Sequence, residues 1–216
     1  MLCLLSGFSQ EGDKAGERMK EFNIIVTGVG GLGAMTLGTI IAEAALKQGY
    51  DVRTTELHGL AQRGGSIPLH IRIGEKLYTP LVLEGEANLV IALEPLEALR
   101  TTYFGSKKQK TTFLIDNYML PPLKVSFLDE KYPSMKSIIK NIKPFAGKVI
   151  TVDASNIVEK KMGSVLTSNV FILGYAIGKK LLPIKKKYAL EAMKEVVPPR
   201  YLDENVKVFE MGMKHK

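Results

Sequence analysis

An α/β fold is predicted: a three-layer sandwich with a Rossmann-like β-α-β start and a mixed sheet that includes an antiparallel hairpin. Three features of the sequence carry this reading. A strand, a glycine turn, a helix and a second strand follow one another between Phe22 and Glu56. Ser66 to Ile73 alternates strictly between apolar and polar residues. From Ala87 onward, short apolar runs alternate with segments of helical period.

The first strand is expected over 22–27, the first helix over 33–48 and the second strand over 51–56, with an irregular loop from Leu57 to Gly65. Ala34, Gly38 and Ala42 recur at intervals of four, so one helix face is small enough for close packing. In the next strand Ile67, Leu69, Ile71 and Ile73 share one face, and Pro68, His70 and Arg72 the other. That pattern reads as half-buried. Gly74-Glu75 suits a two-residue turn, which would return 76–82 as the second arm of a hairpin. Pro68 has no N–H to give to a ladder, which places its strand near an edge.

Residues 87–93 read as a buried strand, and Glu94-Pro95 as the opening of a helix that runs to about residue 104. Strands at 111–116 and 147–152 bracket a helix near 134–143. Three more helices begin near Ser155, Thr167 and Lys185, followed by a helical tail from Pro199 to Gly212. Residues 21–216 form one domain in this reading, and 1–20 an extension outside the core. Gly16-Glu17-Arg18 permits purine-rich codons just before Met19, the form of a prokaryotic ribosome-binding site, so translation is expected to begin at Met19.

With 216 residues, 45% hydrophobic and 24% charged, the chain has the composition of a globular protein able to bury a core. Its formal net charge of +8 comes mostly from lysines spread over turns and helix ends. Lysine without stacking aromatics argues against a nucleic-acid groove. Two uncharged stretches, Phe22–Ala42 and Met162–Gly178, divide into ordinary buried elements, so no membrane span and a cytoplasmic location are expected. Cys3 is the only cysteine, which excludes an internal disulfide and an iron–sulfur cluster held by this chain alone. The three histidines, His58, His70 and His215, show no metal-ligand spacing, and no metal is expected.

Two segments carry candidate chemistry. Gly28-Val29-Gly30-Gly31-Leu32-Gly33 lies between a strand and a helix, where free N–H groups and the helix dipole favour an anion. Gly28, Gly30, Gly31 and Gly33 are the anion-binding candidates: Gly28 would permit the tight turn, Gly30 the close approach of backbone to an anion, and Gly33 the start of the helix. A turn that only lets the helix pack on the sheet explains the same glycines, and both readings stand. With Glu56 at the end of the second strand, a nicotinamide-dependent Rossmann-type reductase is an alternative, although the irregular loop and hairpin depart from that topology.

The second segment, Thr55 to Ser66, places Glu56, His58, Gln62, Arg63 and Ser66 within a dozen residues at a strand end. Open α/β sheets bind ligands there. An ion pair between Glu56 and Arg63 that merely orders the loop is the competing explanation.

Together these segments resemble the small (beta) subunits of indolepyruvate:ferredoxin oxidoreductases, a family homologous to the gamma domain of the 2-oxoacid:ferredoxin oxidoreductases. The resemblance runs from about Lys20 to Gly212. It is carried by Ile24 to Gly33, the Glu56–Ser66 loop, Asn169 to Gly174, and Asn205 to Gly212. Leu32 stands where related gamma subunits often have glutamine, which favours the indolepyruvate branch.

What the resemblance implies is oxidative decarboxylation of arylpyruvates to aryl-acetyl-CoA, with CoA as co-substrate and ferredoxin as electron acceptor. The large alpha subunit would bind thiamine diphosphate and [4Fe-4S] clusters, this chain would bind neither, and it would be inactive alone. Glu56, His58, Gln62, Arg63 and Ser66 then become shared-site or interface candidates, with no residue assigned as catalytic. A gamma subunit of another 2-oxoacid:ferredoxin oxidoreductase, the nicotinamide reductase and a noncatalytic anion-binding module are the alternatives.

Overall fold

The computed structural model describes residues 21–56, 65–120 and 132–216. Its elements are β1 (Glu21–Val29), α1 (Ala34–Lys47), β2 (Asp51–Glu56), β3 (Ser66–Gly74), β4 (Leu89–Ala92), α2 (Pro95–Arg100), β5 (Thr112–Asp116), α3 (Met135–Ile142), β6 (Lys148–Val152), α4 (Ala154–Met162), α5 (Ser168–Gly178), α6 (Lys186–Val196) and α7 (Pro199–Lys214). The strands form one sheet in the order β2-β3-β1-β4-β5-β6. β4 runs parallel to β1, β5 to β4 and β6 to β5, whereas β3 is antiparallel to both β1 and β2.

Side-chain alternation along the strands divides the core in two. Ile24, Val26, Leu89, Ile91 and Leu114 face α1, α4, α5, α6 and α7. Ile25, Val90, Ala92, Phe113 and Ile115 face α2 and α3. The result is the expected three-layer sandwich with a mixed sheet. Every residue of α5 from Ser168 to Ile177 is buried, the pattern of a helix enclosed on all sides. No helix among the described residues is long and apolar enough to cross a membrane.

Two expectations need correction. The expected hairpin arm at 76–82 is not a strand: β3 already has β2 on one edge and β1 on the other, so no ladder edge remains for it. This stretch is instead held by side chains: the Leu77 N–H donates to Asp51 Oδ2, Arg72 donates to the Thr79 carbonyl, and the Val82 N–H donates to His70 Nδ1 at 3.2 Å. β3 is therefore near the edge, as expected, but second from it, with β2 as the edge strand. Pro68 is accommodated because the ladder between β2 and β3 stops at Glu56↔Leu69, one residue short of it.

His70, placed by sequence on a polar face, is 1% exposed, with its ring edge-on to Phe104 at 4.9 Å. Burial lowers its pKa, which keeps the imidazole neutral and Nδ1 free to accept. The β-α-β start is present in split form, since β3 lies between the parallel strands β1 and β2.

Candidate functional site

The glycine turn and the far end of the Glu56–Ser66 segment meet at the carboxyl end of β1. Val29 pairs with Ser66, and the Gly30 N–H donates to the Gly65 carbonyl at 2.9 Å. The amide proposed to meet an anion at Gly30 is thus already bonded to the protein. Gly28 belongs to β1 and not to the turn. Its missing Cβ lets Leu93 and Ala34 approach, where an added Cβ would stand 3.3 Å and 3.6 Å from theirs. Gly31 and Gly33 make the turn, with φ of +108° and +76°. A Cβ on Gly33 would also lie 2.5 Å from Asn169 Nδ2, which donates to the Gly33 carbonyl.

α1 starts at this turn with no side-chain cap and no acid in its first turn. Gly31, Gly33 and Thr36 line a groove of about 700 Å³, closed on the other side by Leu166, Asn169 and Tyr201. The expected small stripe packs as predicted: a Cβ at Gly38 would come within 1.8 Å of Leu69 Cδ2.

On the other face of the sheet, α2 gathers polar groups that sequence reading did not single out. Glu94 caps α2 by accepting the Glu97 N–H at 2.9 Å, and Pro95 fills the first helical position, where no N–H is needed. Glu94 and Glu97 are each 1% exposed. Glu94 also accepts the Tyr132 hydroxyl and the Leu120 N–H, while Glu97 accepts Ser66 Oγ and Arg100 Nη1. Desolvation raises the pKa of Glu94 against those donors, and burial beside Glu94 raises that of Tyr132. Tyr132 therefore stays a neutral donor.

Asp116 ends β5 as expected, and it holds a helix end. Its carboxylate takes the Ser155 hydroxyl at 2.6 Å and the Ser155 N–H at 3.2 Å, at the start of α4. Burial pushes its pKa up to about 6 from 3.8. Between those two pH values the folded chain keeps a proton that the unfolded chain has released, so raising the pH through this window removes stability. The melting temperature of the native chain minus that of Asp116→Asn is therefore expected to fall as pH rises from about 4 to about 7. A difference that stays flat over that range would contradict the assignment.

Of the loop candidates, Glu56 ends β2 opposite Leu69, and Ser66 opens β3 with its hydroxyl on Glu97. His58, Gln62 and Arg63 lie outside the described residues, as does the expected ion pair from Glu56 to Arg63. The missed residues are Glu94, Glu97, Arg100 and Tyr132. Glu94-Pro95-Leu96-Glu97 is legible as a helix start, but nothing local marks Tyr132 or Ser66 as its partners. Among the described residues, no group of three or more His, Cys, Asp or Glu side chains is placed to hold a metal.

Comparison with known proteins agrees with this architecture. The family described as pyruvate ferredoxin/flavodoxin oxidoreductase matches residues 23–215. Indolepyruvate oxidoreductase subunit IorB of Archaeoglobus fulgidus is 42% identical over 190 residues, which covers 88% of this chain and 92% of that protein. The crystal structure of pyruvate oxidoreductase subunit PORC from Thermotoga maritima superposes with a TM-score of 0.66 at 20% identity, covering 91% of this chain and 97% of that one. The 2-oxoglutarate:ferredoxin oxidoreductase of Magnetococcus marinus, solved with 2-oxoglutarate, coenzyme A and succinyl-CoA, superposes with a TM-score of 0.64 at 20% identity. That match covers 90% of this chain and only 30% of the longer one. At such identities the two structures speak for the fold, while the match over residues 23–215 and the 42% identity reach further. The chain belongs to the pyruvate ferredoxin/flavodoxin oxidoreductase family.

Proposed function

We propose that this chain is the small subunit of an indolepyruvate:ferredoxin oxidoreductase, working with a large subunit that carries thiamine diphosphate and [4Fe-4S] clusters. The observation that carries the reading is the 42% identity, along nearly the whole of both chains, to a protein named as the IorB subunit of an indolepyruvate oxidoreductase. When bound in the large subunit, thiamine diphosphate supplies the carbanion chemistry of decarboxylation and the clusters take the electrons. The part assigned to this chain is to shape and close the site, in the cytoplasm, with CoA as co-substrate and ferredoxin as acceptor.

Two regions of the chain suit that part. The Glu56–Ser66 segment starts and ends at the same sheet end as the glycine turn, and its Arg63 has the fork needed to hold a carboxylate. The uncapped start of α1, with Gly31 and Gly33 on the 700 Å³ groove, offers N–H donors to an anionic group of a co-substrate. Gly30, with its amide on Gly65, is left out of that role.

Co-expression with the large subunit tests the reading. The two chains are expected to purify together and to turn over indolepyruvate with a kcat/KM well above that for pyruvate or 2-oxoglutarate. A preference for pyruvate would move the chain to the gamma subunits of other 2-oxoacid oxidoreductases. NADH fluorescence quenched stoichiometrically by the chain would favour the nicotinamide reductase.

A further inference from the structure

Glu94 and Glu97 divide their oxygens in the same way. Each gives one oxygen to α2 and the other to a segment outside it. Glu94 Oε2 takes the Glu97 N–H, while Oε1 takes the Tyr132 hydroxyl and the Leu120 N–H at 3.4 Å. Glu97 Oε1 takes Arg100 Nη1, while Oε2 takes the Ser66 hydroxyl. The Leu96 N–H completes the set by donating to the Tyr132 hydroxyl at 3.2 Å.

A helix of six residues needs one capping group, and a serine or aspartate would serve. Burying two carboxylates three residues apart is costly unless every lone pair in use has a donor. The outward bonds are what the longer capping carboxylate and the second carboxylate add between them. They reach Ser66, where β3 begins beside Gly65 and through it the Gly30 turn, and they reach Leu120 and Tyr132 after β5. Hydrogen bonds, linked through the Gly65–Ser66 peptide and through Glu97, thus join the turn after β1, the start of β3 and the residues after β5.

We propose that Glu94 and Glu97 are positioning residues that couple these segments into one unit, so that loosening any one loosens the others. The consequence for catalysis rests on the shared-site reading above. The coupling itself does not.

Amide hydrogen exchange on the full chain, co-purified with its large subunit, tests the coupling. Ser66→Ala is expected to speed exchange at Leu96 and Leu120, on the far side of α2, by several-fold to about tenfold, the range one hydrogen bond supports. Tyr132→Phe is expected to do the same at Gly30, and Ser66→Thr, which keeps the hydroxyl, to restore the native rates. If Ser66→Ala fails to assemble, Tyr132→Phe read at Gly30 carries the test from the opposite end, because it removes the hydroxyl that Glu94 accepts. Far-side rates that stay native in both variants would overturn the proposal. Turnover read on the same samples separates it from the functional reading: coupled exchange with unchanged kcat keeps the coupling and removes the shared site.

Discussion

Gly212→Ala is expected to lower the melting temperature of the chain by about 6–12 °C, corresponding to about 3 kcal/mol in a domain of this size. α5 and α7 cross at backbone contact. A Cβ on Gly212 would stand 2.1 Å from the Phe171 carbonyl oxygen and 2.9 Å from the Tyr175 N. A Cβ on Gly174 would stand 2.1 Å from the Phe209 carbonyl oxygen, and one on Gly178 2.6 Å from that of Met213. These neighbours are main chain, so no side chain can turn aside, and the helices must separate. Because α5 is enclosed on all sides, separation also opens the core formed by Phe171, Phe209 and Val208. Gly163→Ala is the fitting control. That residue has φ +75° but nothing within 4 Å of a modest added Cβ, so only backbone strain of about 1 kcal/mol is expected. Equal melting shifts for the two variants would show that helix contact is not the reason for glycine at 212.

Arg63→Ala is expected to lower turnover of the assembled oxidoreductase by about 10- to 100-fold, and His58→Ala by less, while the small subunit's own stability changes by no more than about 0.5 kcal/mol. The segment begins at the end of β2, ends where Ser66 is fixed to Glu97, and carries a guanidinium, an imidazole and an amide together. A guanidinium that holds a carboxylate or a partner's acid makes charge-assisted bonds whose loss appears in the complex and not in the fold of the single chain. Steady-state kinetics beside thermal melts separate the two effects. Native turnover in both variants would leave the segment a structural loop.

Element positions were legible because they follow local rules. β2 at 51–56 and the starts of α2, α4, α5, α6 and α7 all fall within a residue or two of expectation, since periodicity and helix-start chemistry act within a few residues. Strand neighbours were not legible. The strict alternation from Ser66 to Ile73 says that one face is buried, but not that β3 slots between β2 and β1, and that placement is what denies 76–82 a partner.

The glycines divide the same way. Gly31 and Gly33 act through backbone conformation, a local property, whereas Gly174 and Gly212 act through a crossing of helices far apart in sequence. They were visible only as points of family resemblance, and the helix crossing supplies the reason. The α2 network was missed for the same cause, because Glu94 meets Tyr132 across 38 residues and Ser66 meets Glu97 across 31. His70 went astray because a buried face was covered by a loop and not by a strand or helix.

The most direct measurement of the functional account is indolepyruvate- and CoA-dependent reduction of viologen or ferredoxin by the large subunit, by this chain, and by the two reconstituted together. The expected result is reduction only by the reconstituted pair, saturating with added small subunit, and none by this chain alone even after treatment with iron, sulfide and thiamine diphosphate. Full activity of the large subunit without this chain, or turnover by this chain without the large subunit, would contradict it.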